Sequence, residues 1–155
     1  GRHWNPLRLP FINNLYLALD PKVAIPLESI HLDVCIKNGI SFTDFKQVYK
    51  NVETKPVECV YKFPVNDHYL ISGMQIKVGD QVIDTLIMDK HKADEKYDDA
   101  IAAGDAAAKV QHSEAQPDVV ELHIGNVLPG QTAEVTVKLV NKLDSIKREC
   151  YSYVF

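Results

Sequence analysis

Cysteine is scarce in this sequence: Cys35, Cys59 and Cys150 are the three it has in 155 residues. An odd, widely spaced set is not the dense framework that staples small secreted domains. A single bridge, Cys35 to Cys59 or Cys59 to Cys150, stays open. No Asn-x-Ser/Thr acceptor occurs either. Together these absences lean towards a reducing, intracellular compartment, which is otherwise unknown. No apolar run approaches the roughly 20 residues that a helix needs to cross a bilayer, so no membrane span is expected. A cationic surplus is also missing, since 17 Lys and Arg stand against 21 Asp and Glu, a net charge of −4. That argues against nucleic acid or an anionic membrane surface as partner. Residue 1 is Gly and no charged-then-apolar leader follows. The expected reading is a fragment of a longer protein, or a processed product.

Site chemistry is thin as well. The six histidines, His3, His31, His68, His91, His112 and His123, are scattered. No pair has zinc-site spacing, and no two cysteines lie within ligand spacing, so no metal and no cofactor are expected. No Gly-rich loop precedes a helix to cradle phosphate. His31 and Cys35 sit two positions apart along one strand face, a conceivable thiol–imidazole pair. No flanking motif or oxyanion signature accompanies them. The chain is therefore expected to be no enzyme.

What is present is a globular composition, 46% hydrophobic and 25% charged, with strongly patterned segments. Residues 1–25, punctuated by Pro6, Pro10 and Pro21, read as an extended arm with one strand near 14–19. Residues 26–155 read as the folded domain. From Ser29 to Lys37, Ile30, Leu32, Val34 and Ile36 alternate with His31, Asp33, Cys35 and Lys37, a half-buried strand. Asn38-Gly39 predicts a two-residue type I′ hairpin into a strand over 40–49. Further strands are expected at 57–63, 69–78, 81–88, 119–124, 133–140 and 149–155. Gly79-Asp80 predicts a type II′ turn.

The period changes once. Ala93, Tyr97, Ala100 and Ile101 form one helical stripe, with Asp89 able to cap the start and Gly104 able to end it. The other helix face carries Asp94, Glu95, Asp98 and Asp99, read as a solvated face with Lys92 and Lys96 in reach. Residues 105–115 read as loop or weak strand. Gly39, Gly79, Gly125 and Gly130 read as turn residues. The expected fold is mainly β, an antiparallel β-sandwich with one inserted α-helix over about 89–104.

Several segments, in order, carry a family resemblance. They are Pro26-Leu27-Glu28-Ser29; Tyr49-x-Asn51; Pro56-x-Glu58; Tyr61-x-Phe63-Pro64; and Gly73 followed by Gly79. After these come Lys92-Ala93, Tyr97, Ala100, Gly104 and Ala107, then Pro117-Asp118-Val119, Ile124-Gly125-Asn126-x-x-Pro129-Gly130 and Val135-x-Val137. Over roughly residues 26–145 this resembles the VIT domain (vault protein inter-alpha-trypsin domain). That domain occurs in inter-alpha-trypsin inhibitor heavy chains and vault poly(ADP-ribose) polymerase. The resemblance implies a β-sandwich placed just before a von Willebrand factor A domain of the same chain. The family's metal-ion-dependent adhesion site belongs to that neighbour, and its Asp-x-Ser-x-Ser signature is absent here. No catalytic or metal residue is implied. Val120 departs from an aromatic common after Asp-Val, and the segment before Pro26 has no clear counterpart.

The expected function is a non-enzymatic protein–protein interaction or scaffolding module of a multidomain protein. Its expected partners are other proteins and an adjacent von Willebrand factor A-like domain. The candidate partner-binding residues are Trp4, Leu7, Leu9 and Phe11 in the arm, and Tyr151, Tyr153 and Phe155 in the last strand, with the helix face beside them. The alternative is a structural subunit of a self-associating shell, filament or matrix.

Overall fold

The computed structural model describes residues 15–65, 69–85, 90–114, 116, 118–142 and 149–154. Two antiparallel sheets face each other. One has the order β1 (Leu15–Leu17), β4 (Val57–Pro64), β8 (Val119–Val127), β7 (Ala107–His112). The other has the order β10 (Glu149–Val154), β2 (Leu27–Lys37), β3 (Ile40–Lys50), β9 (Thr132–Lys142), β5 (Leu70–Val78), β6 (Gln81–Thr85). The single described helix, α1 (Lys90–Ala102), lies between β6 and β7 in the chain. This is the sandwich with one inserted helix that the alternation predicted.

The local signals act as their chemistry requires. Asn38 and Gly39 both have positive φ, 52° and 73°, and join β2 to β3 with Lys37 opposite Ile40. Gly79 takes φ 59° in the turn joining Val78 to Gln81, as the first position of a II′ turn demands. Gly104, at φ 79°, ends α1 in a Schellman motif. Its N–H donates to Ile101 at 3.0 Å, and the Asp105 N–H donates to Ala100 at 3.0 Å.

The core fills the space between the sheets. Leu32, Val34 and Phe45 come from one sheet, and Tyr61, Phe63 and Leu122 from the other. Phe63 lies near Phe45, Tyr61 and Tyr69, with ring centroids 5.9–6.3 Å apart. Among the buried polar groups, Gln47 sits fully inside this core. The Gln47 amide oxygen accepts from the Tyr49 hydroxyl at 3.0 Å and the Tyr61 hydroxyl at 2.8 Å. Buried hydroxyls without an acceptor cost about 1–3 kcal/mol each, so this pairing lets two large rings enter the core.

The structure refines four readings, two of which allow a strand, a weak one within 105–115 and one near 14–19. Residues 107–112 form a true strand, paired with β8 from Ala107↔Gly125 to His112↔Val120. Its alternation is masked because α1 covers its outer face while Val110 enters the core. Gly125 lies within β8 rather than in a turn, and its role is close approach. A Cβ there would stand 2.1 Å from Ile101 Cδ1 and 2.9 Å from the Tyr97 hydroxyl, so its bare face seats the helix. A Cys35–Cys59 bridge is set aside: Cys59 is buried between the sheets, whereas Cys35 alternates out of phase with buried Leu32 and Val34. Cys59 and Cys150 likewise lie on strands of different sheets, β4 and β10. Residues 15–25 belong to the sandwich. β1 pairs with β4, and Leu15 and Ile25 enter the core, joined by the Ile25 N–H donating to Leu15 at 2.8 Å.

Candidate functional site

The antiparallel topology gathers several connections at one end of the sandwich. The β1–β2 link arrives there because Leu17 pairs with Cys59 and the Ala18 N–H donates to Glu58 at 2.9 Å. The β3–β4 and β8–β9 links arrive there because Val57 lies opposite Val127. Asn51 fastens the last two links to each other. Its amide donates to the Val127 carbonyl at 3.0 Å and the Lys55 carbonyl at 3.2 Å. Its side-chain oxygen accepts from the Glu53 N–H at 2.8 Å. Its backbone exchanges with Gln131 (3.0 Å) and Gly130 (2.8 Å). Gln131 closes its own loop by accepting from the Leu128 N–H at 2.9 Å.

These held loops display apolar side chains. Leu19 is 98% exposed, Val52 63% and Leu128 46%. A lone exposed leucine is ordinary. Three large apolar groups exposed on loops at one end of the sandwich make that end a candidate interaction surface. Pattern reading missed this end because each residue stands alone in its own loop. The Tyr49-x-Asn51 and Pro129-Gly130 segments were the available signal.

A second cluster holds α1 to the outer face of the four-stranded sheet. The Tyr97 ring lies over Gly125, with Lys109 Nζ 4.7 Å from its centroid. Lys109 also donates to Asp94 at 2.5 Å, so one member of the acidic face is paired with β7. Burial raises the Tyr97 hydroxyl well above the ordinary tyrosine range, helped by the Glu58 carboxylate it hydrogen-bonds. His123, opposite Lys109 on β8, is shifted the other way. Burial, then the Lys109 cation, holds it below the ordinary histidine value. Beside this cluster a cleft of about 300 Å³ runs between β6 and β7, lined by Ile83, Thr85, Tyr97, Ala100, Ala108 and Val110.

The candidates named from sequence fall as follows. Trp4, Leu7, Leu9, Phe11 and Phe155 lie outside the described residues. Tyr151 and Tyr153 lie on β10, at an edge of the six-stranded sheet, opposite the core residues Val34 and Leu32. His31 pairs with Asp33 at 3.1 Å. Among the described residues, no three His, Cys, Asp or Glu side chains gather as a metal site. Among them, too, no helix is long and apolar enough to cross a membrane.

These features define a two-sheet antiparallel sandwich module with a seated helix and a cluster of braced loops at one end. The family model of the vault protein inter-alpha-trypsin domain matches residues 27–139, and the chain belongs to that family. It is 30% identical over 119 residues to human von Willebrand factor A domain-containing protein 5A, covering 77% of this chain. The rat protein of the same name is 28% identical over 122 residues, 79% of this chain. A von Willebrand factor A domain-containing protein of Dictyostelium discoideum is 32% identical over 129 residues, 83% of this chain. The chain spans only about 14–15% of the length of these relatives, so what it matches is one module of much longer proteins.

Proposed function

We propose that this chain is a non-catalytic interaction module that docks onto a neighbouring von Willebrand factor A-type domain through its loop end. The observation that carries the reading is the trio Leu19, Val52 and Leu128, exposed at one end of the sandwich, with Val52 and Leu128 on the two loops that Asn51 ties together. Braced loops lose little freedom on binding, so apolar burial there is offset by less ordering entropy. The names and lengths of the relatives support a partner within the same polypeptide.

The test compares the wild-type chain with the Leu19→Ser, Val52→Ser, Leu128→Ser triple variant. Calorimetry measures binding of each to the separately expressed neighbouring domain. The expected result is at least a tenfold weaker Kd with an unchanged melting temperature. Equal affinity would refute docking at this end. Concentration-dependent self-association in the ultracentrifuge would favour the second reading, a self-assembling structural subunit. That reading draws on β10, which stands at an edge among the described strands, a position where another chain could pair.

A further inference from the structure

Two of the three cysteines meet across a strand pair. β10 runs antiparallel to β2, with Cys150 directly opposite Cys35. The type of this pair follows from the neighbouring hairpin. In a two-residue I′ hairpin the flanking residues, here Lys37 and Ile40, exchange both backbone hydrogen bonds. The β2–β3 register is unbroken from Ser29 to Lys37. Alternation therefore aims the N–H and C=O of Lys37, Cys35 and Asp33 at β3. None of these groups is left for β10, so Cys35 and Cys150 form a non-hydrogen-bonded pair. Cα atoms in such pairs stand about 4.5 Å apart. A disulfide spans about 4.4–6.8 Å between Cα atoms.

Access and competition point the same way. Cys35 is half-buried on the outer sheet face, beside the exposed Phe42 opposite it on β3, so a small oxidant can reach it. Cys59 is enclosed in the core. Burial, then the Glu58 carboxylate, pushes its thiol up to about 12, which keeps it from reacting as thiolate. The odd cysteine count thus divides into one facing pair and one inert core thiol.

We propose that Cys35 and Cys150 form a reversible cross-strand disulfide that pins β10 to β2. The oxidant is a low-molecular-weight disulfide such as oxidised glutathione. The Cys35 thiolate attacks one of its sulfurs, forms a mixed disulfide and displaces one thiolate, which takes up a proton. The Cys150 thiolate then attacks the Cys35 sulfur and displaces the second. Two protein thiols lose two electrons and two protons, and the small disulfide becomes two thiols. Because β10 is an edge strand held only by β2 among the described strands, the bond decides whether it can peel away. Released, it would open the β2 edge to another strand.

The test incubates the wild-type chain and its Cys59→Ser and Cys150→Ser variants in reduced and oxidised glutathione. Free thiols, intact mass and a non-reduced peptide map are read, together with hydrogen exchange of β10 amides. In the oxidised buffer, the wild type should fall from three free thiols to one and lose the mass of two hydrogens. Its map should contain a Cys35–Cys150 peptide, and β10 exchange should slow at least tenfold. Cys59→Ser should form the same bond and fall from two free thiols to none, whereas Cys150→Ser should retain glutathione on Cys35. Stable glutathione adducts on wild-type Cys35, a bond through Cys59, or a bond only between two chains would each overturn the proposal.

Discussion

Asn51 offers the sharpest test of how the loop end is built. Its side chain is 1% exposed and makes three hydrogen bonds, to the Val127 and Lys55 carbonyls and from the Glu53 N–H. Replacing it with Ala removes all three and leaves the Val127 carbonyl without this donor. At about 1 kcal/mol per bond, with an added penalty for a buried orphan, the expected loss is about 3 kcal/mol. That is a large share of the roughly 5–15 kcal/mol by which a domain is stable. For a domain of this size it lowers the melting temperature by about 6–12 °C. Asn51→Asp should cost at least as much. It keeps the acceptor for Glu53 but turns an ionised oxygen on two carbonyls. Urea denaturation followed by circular dichroism measures both, with Thr54→Ala as an exposed control expected within about 0.5 kcal/mol of wild type. If Asn51→Ala matched that control, the loops would be held by their backbone bonds alone and the bracing argument would be wrong.

Gly125→Ala should destabilise by about 1–3 kcal/mol because the new methyl displaces Ile101 and Tyr97. Gly73→Ala, with open space around its Cβ position, should be neutral or slightly stabilising; equal effects in thermal melts would exclude the helix-seat explanation. For His123, the unfolded chain takes up its proton near the ordinary value of 6.5 and the folded chain only at lower pH. The groups facing it are Lys109 and Lys62, which lower its value, and Glu121 and Asp94, which oppose them. Between the two values the unfolded state binds more protons, so stability rises with pH and is lost as pH falls through the folded value. His123→Asn should flatten that segment of the urea midpoint against pH, and an unchanged slope would assign it elsewhere.

Much of the fold is legible in order along the chain. The alternation of Leu32 and Val34 with Asp33 and Cys35 announces β2 because each strand face meets a different solvent. Asn38-Gly39 announces its turn because few residues tolerate two successive positive φ values. Gly104 announces the helix end for the same reason. The candidate site was far less legible. Leu19, Val52 and Leu128 carry no shared period, and only the pairing of β1, β4 and β8 brings their loops to one end.

The sequence by itself therefore determined the β-rich class, two hairpin turns, the helix and its stop, and the family resemblance. All of these depend on interactions within a few residues or on ordered local motifs. Tertiary structure decided between loop and strand for residues 107–112, since helix cover outside and core contact inside erase the period that would reveal the strand. It also decided that Gly125 seats a helix rather than bends a turn, and that Cys35 lies in strand register with Cys150 and on a different sheet from Cys59. Each of these joins residues far apart in the chain. Their meeting is set by which sheet faces must be buried together, a condition that no short stretch of sequence contains.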